Sequence, residues 1–265
     1  MSQLFNRVCE LTLGTKKFSS PPFSIEFEQT FALSAISATV IKLYNPNKDT
    51  IKMAEPKKTG KTYTYANCIM SAGYTDESGT CITGEVVSFA VTQSGTDRIL
   101  ELKVTDKTQK WATAQIMQTF ENIRASQLIK KVLTDLNIDY RSQELGEDIT
   151  YKKITVTTLT QLMNRIVKDT KSIYYFKNGV FEIRPISDSK KNSIYLLTPR
   201  TGLVGSVNKI PTGIKFKTLF LYKIQPLDVV KIESRDQSGY FKITKGKKIF
   251  STFGEGESEF EAVAL

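Results

Sequence analysis

The amino-acid sequence predicts a mainly β fold with an α+β insertion in its middle. Short runs rich in Val, Ile, Thr, Tyr and Phe, separated by turn residues, fill both ends of the 265-residue chain. Between them lie two apolar stripes with the spacing of amphipathic helices. These patterns divide the chain into a β region at 1–105, an α+β region at 106–185 and a second β region at 186–265.

The first β region contains runs that alternate between polar and apolar residues. Leu100, Leu102 and Val104, for example, fall on one face of an extended strand. Several short strands separated by turn chemistry predict an antiparallel barrel or sandwich. The predicted strands are 25–31, 38–43, 62–69, 81–92 and 98–105, with turns at 44–47, 77–79 and 93–97.

The α+β region contains two amphipathic helices followed by a hairpin. The first helix is predicted over 126–136, and the second begins after Thr158, which forms a capping box with Gln161. Asn178-Gly179 between two aromatic and β-branched runs, 173–176 and 180–183, predicts a tight hairpin. We expect both stripes to face the core: Leu128, Ile129, Val132, Leu133 and Leu136, then Leu159, Leu162, Met163, Ile166 and Val167.

The second β region repeats the pattern of the first without a tandem repeat of fixed period. Turn chemistry is predicted where Pro226 precedes Asp228 and again at Ser238-Gly239. The predicted strands are 202–209, 213–221, 229–233, 241–248 and 259–264.

Composition narrows the classes of function. The chain contains no histidine, which excludes Ser-His-Asp, Cys-His and HExxH chemistry. Its net charge of +10 would suit a polyanion partner, but the lysines are dispersed, as on an ordinary solvated surface. The three cysteines, Cys9, Cys68 and Cys81, lack metal-ligand spacing, so we expect free thiols and assembly in a reducing cytoplasm. We expect neither a signal peptide nor a membrane-spanning helix.

No motif in the sequence predicts a catalytic, cofactor-binding or metal-binding residue. Gly60-Lys61-Thr62 resembles the end of a P-loop, but Glu55 stands where the P-loop has its first glycine. Glu255, Glu257 and Glu259 alternate near the end of the chain, which is typical of a charged, exposed strand edge. Trp111 and Phe120 are expected to pack at a domain junction. We therefore expect no catalytic residues, no metal and no cofactor.

The order of the turn and strand signals resembles one family, the baseplate hub proteins of contractile phage tails (the late-control-protein-D group). The motifs that carry the resemblance span most of the chain. In order, they are Tyr44-Asn45-Pro46, Ser71-Ala72-Gly73-Tyr74, Cys81–Val86, the strand Ile99–Val104, the helices near Ala125–Leu133 and Thr158–Thr170, the hairpin to Ile183, Gln225–Ile232 and Gly239–Ile243. One departure is Leu227, which stands where the family has a glycine before Asp228.

The resemblance implies two tube-like antiparallel β-barrel domains that flank a small α+β domain. Hubs of this family are trimers, so three chains present six barrels in a ring and adapt a sixfold tail tube to a threefold central spike. The implied partners are two further copies of the chain, the tail tube protein, the central spike protein, other baseplate proteins and, as a further candidate, the tape measure protein. DNA would be only cargo in the lumen, and no membrane anchor is implied.

The implied location is the baseplate of a virion tail or of a phage-tail-like bacteriocin, assembled in the bacterial cytoplasm. The resemblance does not extend to a lysozyme or peptidase region, so no cell-wall hydrolysis is implied. Three other functions stay open at this point. The chain could be a tail-tube or tube-terminator protein, a non-specific nucleic-acid-binding barrel, or a carbohydrate-active enzyme that uses carboxylates.

Overall fold

A computed structural model describes residues 6–59, 62–106, 111, 114–177, 180–187 and 190–265 of the protein. Strands dominate this part of the chain. The helices are α1 Lys48–Ala54, α2 Ala125–Asp135 and α3 Leu159–Asp169. The strands are β1 Arg7–Leu13, β2 Lys16–Ser20, β3 Ile25–Ala32, β4 Ala38–Tyr44, β5 Lys57–Thr59, β6 Thr62–Thr64, β7 Asn67–Tyr74, β8 Glu77–Ser94, β9 Asp97–Thr105, β10 Gln115–Arg124, β11 Tyr140–Gln143, β12 Thr150–Thr158, β13 Ser172–Lys177, β14 Val180–Pro185, β15 Lys190–Leu197, β16 Leu203–Ile210, β17 Gly213–Leu219, β18 Asp228–Glu233, β19 Ser238–Ser251 and β20 Gly256–Ala264.

Described residues of 6–32, 37–105 and 190–265 form one compact unit, here called the sheet unit. Thirteen of its strands make one sheet in the order β16-β17-β20-β19-β3-β4-β9-β8-β7-β1-β2, with β18 paired to β19 and β15 paired to β18, while β5 and β6 pair only with each other. Antiparallel pairing of β3 with β19 joins the two ends of the chain. The mainly β fold class is thereby confirmed, whereas the division of this unit into two barrels stays a prediction.

The shared sheet carries two separate apolar cores. The first is built mainly from β1 to β9, and the second mainly from β15 to β20. Strands β3 and β19 contribute to both, because Phe27 and Phe250 lie in the first core while Phe31 and Phe241 lie in the second. In β3 ordinary alternation turns both rings to the same face. In β19 a β-bulge between Ile243 and Lys245 adds one residue, which brings Phe241 and Phe250, nine residues apart, to the same face.

The structure contains all the strands predicted in the first β region and adds β1, β2, β5 and α1. One predicted strand and one predicted turn differ from the structure. Predicted strand 62–69 is two strands, β6 and β7, separated by Tyr65 and Ala66. The turn predicted at 77–79 is wrong, because Glu77 pairs with Tyr74 across a two-residue turn and already belongs to β8. Gly79 lies in β8, where backbone pairing outweighs local turn preference.

Asn45 and Gly84, from two of the motifs that carry the family resemblance, have identifiable structural roles. Asn45, with φ of 53°, donates from Nδ2 to Asp97 Oδ1 at 2.8 Å and accepts from Arg98 N at 3.0 Å, which ties the turn after β4 to the start of β9. At Gly84, a Cβ atom would lie 2.1 Å from the carbonyl oxygen of Thr105. Glycine is therefore required there for close backbone approach.

Described residues of 33–36 and 106–187 form a second unit, here called the helical unit. Strands β10 and β12 form one sheet, and β11, β14 and β13 form another. The two predicted helices correspond to α2 and α3, and nine of their ten predicted core residues are buried, with Leu136 partly buried. The predicted hairpin is the antiparallel pair β13–β14, while Asn178 and Gly179 lie outside the described residues.

Only half of the predicted capping box forms at the start of α3. Thr158 Oγ1 accepts a hydrogen bond from Gln161 N at 3.3 Å, as a capping residue does. The Gln161 side chain instead accepts from the hydroxyl of Thr157. In a complete capping box the Gln161 side chain would accept from the backbone N–H of Thr158. Here the hydroxyl of Thr157 takes the place of that donor.

The second β region contains all five predicted strands and adds β15. The turn predicted at Ser238-Gly239 is wrong, because Ser238 pairs with Glu233 and opens β19. The turn lies before it, where Ser234 N donates to Gln237 O at 3.0 Å. Leu227, at the position of the family's glycine, is fully buried and has a φ of 70°. A leucine therefore occupies a left-handed backbone conformation that glycine adopts without strain.

Candidate functional site

A row of buried polar residues separates the two cores of the sheet unit. Gln29, Lys248, Ser258 and Thr218 lie opposite one another across β3, β19, β20 and β17. Their exposed fractions are 6%, 1%, 1% and 0%. On each strand, the residue two positions along on the same face of the sheet is often aromatic. In one direction along the strands these rings belong to the first core, and in the other direction to the second. These rings are Phe27 and Phe250, then Phe31, Phe260 and Phe216.

Lys248 is the charged member of this polar row. Its Nζ donates to the carbonyl oxygen of Tyr222 at 2.9 Å and lies 5.6 Å from the centre of the Phe31 ring. Burial lowers the pKa of Lys248 from its ordinary 10.5 to about 8, against the smaller opposing effects of Cys81 and Asp228. Gln29 Nε2 donates to the carbonyl oxygen of Cys81 at 3.3 Å. This row was not predicted from the sequence, although Lys248 lies two residues before the buried Phe250 and so shares its face of β19.

The opposite face of the shared sheet carries charged residues in alternating rows. Glu257, Glu259 and Glu261 on β20 form ion pairs with Lys217 at 3.6 Å, Lys215 at 2.8 Å and Lys245 at 3.0 Å, respectively. The prediction that Glu255, Glu257 and Glu259 mark a strand edge is wrong, because β20, which carries the last two, lies between β17 and β19. Cross-strand pairing explains their alternation instead.

An acidic groove lies on the same face, where β3, β4, β9 and β19 run side by side. Its volume is about 560 Å³. Four glutamates and one lysine supply its charged lining: Glu26, Glu28, Glu101, Glu255 and Lys42. Among the residues that the structure describes, no group of three or more acidic or cysteine side chains is arranged to hold a metal ion. Acidic side chains outnumber basic ones in the lining of the groove, and one of them, Glu28, is paired with Lys247 at 2.9 Å.

A second depression, here called the basic pocket, lies beside α1. Its volume is about 500 Å³. Met53, Tyr65 and Ala66 form its apolar part, and Lys52 and Lys57 outnumber Glu55 among its charged residues. Gly14, at the end of β1, also lines it and donates from its backbone N to Asn67 O at 2.8 Å.

No protein-family model and no curated protein matches this chain. Solved structures match it over nearly its whole length. The 43 kDa tail protein of prophage MuSo2 from Shewanella oneidensis has a TM-score of 0.71 at 12% identity and covers 98% of each chain. A tail protein from Neisseria meningitidis MC58 has a TM-score of 0.69 at 10% identity, covering 97% of this chain and 96% of its own.

A third similar structure comes from a secretion system. The Escherichia coli c3393 protein is a component of the type VI secretion system with structural similarity to the T4 bacteriophage tail proteins gp27 and gp5. It has a TM-score of 0.71 at 13% identity and covers 96% of this chain and 76% of its own. This chain has the fold of phage tail proteins.

The three cysteines of this tail-protein fold are buried, free thiols, as the sequence predicted. Burial is the main cause that raises the pKa of Cys9, Cys68 and Cys81 from 9.0 to about 12. Cys81 Sγ donates to the carbonyl oxygen of Met70 at 3.2 Å. A thiol that stays protonated in an apolar core is a poor nucleophile, so these residues serve packing.

The helical unit contains a buried acid that the sequence analysis also missed. Glu182, 1% exposed, accepts a hydrogen bond from the hydroxyl of Tyr175. Its carboxylate lies 3.5 Å from Arg184 Nε and 3.7 Å from Arg141 Nη1. Burial is the largest cause that raises the pKa of Tyr175, and Glu182 adds to it. Two cations and a hydroxyl therefore compensate the buried charge.

The remaining predicted residues have structural roles or lie outside the described residues. Trp111 is 1% exposed and packs against Phe176 and Phe181, with ring centres 5.1 Å and 4.9 Å away. Phe120 belongs to the same core, so the packing prediction is confirmed for both. Gly60 and Lys61 lie outside the described residues, and Thr62 opens β6. Among the described residues no helix combines the length and the apolar character that crossing a bilayer requires.

Proposed function

We propose that this protein is a structural subunit of a phage tail or of a related tail-like particle, and specifically the baseplate hub. Two phage or bacterial tail proteins have a similar fold, and each comparison covers at least 96% of both chains. This likeness supports the assignment to a tail structure. The likeness to a secretion-system protein that is itself similar to gp27 and gp5 supports a place near the spike.

The observation that carries the hub assignment is the pair of apolar cores on one continuous sheet. If each core belongs to one barrel, three chains contribute six barrels to a ring. A ring of this kind presents pseudo-sixfold symmetry to a tail tube and true threefold symmetry to a spike. A tube subunit needs only one barrel in each of six chains, so a chain with two cores suits the hub better.

In this role the protein binds two copies of itself, the tail tube protein, the central spike protein and neighbouring baseplate proteins, and it catalyses no reaction. The absence of histidine from the sequence and the raised pKa of all three thiols support a role without chemistry. The charged face of the shared sheet suits contact with water, as in a lumen through which cargo passes. The assembled protein resides at the baseplate.

Native mass spectrometry of the purified protein tests this proposal. Three copies per particle are expected for a hub, and electron microscopy of the same sample should show a ring with six similar lobes. Six copies per ring would assign the chain to the tube instead. A monomer at every concentration, including concentrations far above those in the assembling cell, would contradict both assignments.

A further inference from the structure

The loop between β19 and β20 presents an aromatic side chain to solvent. Phe253 is 80% exposed, the largest exposed fraction among the exposed large hydrophobic residues of the described chain. A lone exposed aromatic residue on a free chain end would carry little information. This one belongs to the tight connection between two central strands of the shared sheet.

Hydrogen bonds hold this loop in one conformation. Ser251 Oγ accepts from Gly254 N at 2.9 Å and from Phe253 N at 3.3 Å. Arg7 Nη1 donates to the carbonyl oxygen of Ser251 at 2.8 Å and also to that of Gly254. Because these bonds fix the loop before any contact forms, ordering Phe253 in an interface would cost little conformational entropy.

Glutamates lie close to the Phe253 loop, together with the guanidinium of Arg7. Glu255 follows two residues later and is exposed, and it also lines the acidic groove with Glu26 and Glu101. A surface that combines an exposed aromatic anchor with negative charge fits a partner that combines an apolar pocket with positive charge.

The basic pocket has both properties. Met53, Tyr65 and Ala66 provide apolar surface, with Lys52 and Lys57 beside them. Its volume of about 500 Å³ falls within the range of pockets that accept aromatic groups. The two surfaces are therefore complementary in charge, and one offers the side chain that the other can receive.

The two complementary surfaces belong to one unit but cannot meet within one chain. Arg7, which holds the Phe253 loop, begins β1, while Gly14, which lines the basic pocket, follows the last residue of β1. Seven extended residues separate these points by roughly 20 Å. Surfaces at opposite ends of a strand can therefore join only different copies, head to tail. Contacts of this type close into a ring when the rotation between successive copies closes, and otherwise form an open filament.

We infer that the loop 251–256 of one copy inserts Phe253 into the basic pocket of the next copy and places Glu255 against Lys52 and Lys57. This inference rests on the proposed assembly of the protein into a ring. It adds the contact by which successive copies recognise each other.

Photo-crosslinking with the intact chain tests the contact directly. Replacement of Phe253 by benzoylphenylalanine should yield crosslinked dimers and trimers after irradiation, with the crosslinks mapped by mass spectrometry to the lining of the basic pocket, residues 14–15, 52–57 and 64–67. The same replacement at Tyr240, which is 47% exposed on β19, serves as a matched control and should not label those residues. Crosslinks from position 253 to any other part of the chain would overturn the inference.

A charge exchange gives an independent test. Glu255→Lys and Lys57→Glu should each raise the concentration at which half of the chains are assembled by about tenfold, and combining them should restore most of the assembly. Phe253→Ala should weaken assembly by about tenfold or more. Asp76→Lys reverses an exposed acid in a turn of the same unit and should leave assembly unchanged.

These experiments separate failure of the contact from failure of the ring. Trimers that form equally well from the wild type, Phe253→Ala and Glu255→Lys would overturn the contact and leave the ring standing. A wild type that stays monomeric would overturn both. Circular dichroism of each variant verifies folding, which substitutions at such exposed positions should preserve.

Discussion

Lys248 donates a hydrogen bond of 2.9 Å to the carbonyl oxygen of Tyr222 from a position that is 1% exposed. A single hydrogen bond compensates only part of the cost of moving an ammonium group out of water. The pKa of Lys248 accordingly falls to about 8, and this shift links the stability of the sheet unit to pH.

The lysine and the thiols have opposite effects on stability between pH 8 and 9. Folded Lys248 loses its proton near pH 8, whereas the unfolded lysine keeps it up to 10.5, so the unfolded state binds more protons and stability rises with pH. The unfolded thiols ionise near pH 9.0 and the folded ones only near 12, so their contribution falls as pH rises. Each effect amounts to about 1 kcal/mol over this range.

We therefore expect the free energy of unfolding of the wild type to stay nearly level from pH 8 to 9, while that of Lys248→Met falls by about 1 kcal/mol. Urea denaturation in reducing buffer at pH 7, 8 and 9 measures both. Lys103→Met, which alters an exposed lysine of β9, should behave like the wild type. A parallel decline of all three proteins would show that Lys248 is not buried as described.

Leu227 should reverse the usual ranking of alanine and glycine substitutions. Both substitutions lose a buried leucine side chain, which costs about 2–5 kcal/mol, but only glycine also relieves the left-handed backbone, by about 1 kcal/mol. Leu227→Gly should therefore be more stable than Leu227→Ala in urea denaturation. At Leu100, buried in β9 with an ordinary strand backbone, alanine should be better than glycine by about 1 kcal/mol. The same ranking at both sites would refute the strained conformation.

Thr158 should stabilise the helical unit through its capping bond. Thr158→Ala removes the acceptor for Gln161 N and should cost about 1 kcal/mol. The fluorescence of Trp111, the chain's single tryptophan, reports unfolding of this unit because the indole is buried in its core. Thr134→Ala makes the same change at an exposed position within α2 and should be neutral or slightly stabilising. Equal losses for the two variants would argue against a specific cap.

The three thiols should react with Ellman's reagent only after unfolding. Their burial and raised pKa both suppress the thiolate, so modification at pH 7.5 should be at least about 100-fold slower than in urea. Absorbance at 412 nm measures the rate and the number of thiols. Rapid reaction of even one thiol in the native protein would contradict the packing of the first core.

The sequence was sufficient to predict those strands and helices that bury one face, because burial of one face makes apolar residues recur at a regular spacing. Leu100, Leu102 and Val104 have exposed fractions of 0%, 0% and 1%, and the stripes of α2 and α3 are buried in the same way. In each case one face of one element contacts the core, so spacing along the chain reveals it. Polar and apolar residues also alternate in β1, and this pattern could have predicted the strand, but β1 was not among the predicted strands.

Features that depend on the register between distant strands could not be read from the sequence. Glu26, Glu101 and Glu255 come from three parts of the chain and meet in one groove only because β3 lies between β4 and β19. Nor could Lys248 be assigned to the polar row without the pairing that sets Gln29 and Ser258 beside it. No local pattern specifies a strand's partner when more than 200 residues separate the two.

The pairing of β3 with β19 also affects how the chain folds during synthesis. Residue 26 pairs with residue 251, so a ribosome adding about 5–20 residues per second needs on the order of 10–45 s to deliver the partner strand. During that interval one edge of β3, bearing Phe27 and Phe31, lies unpaired in the nascent chain. Contacts of such high contact order form late, and open strand edges invite aggregation. We therefore expect nascent chains to depend on chaperones until β19 emerges, and fragments that end before residue 238 to be insoluble.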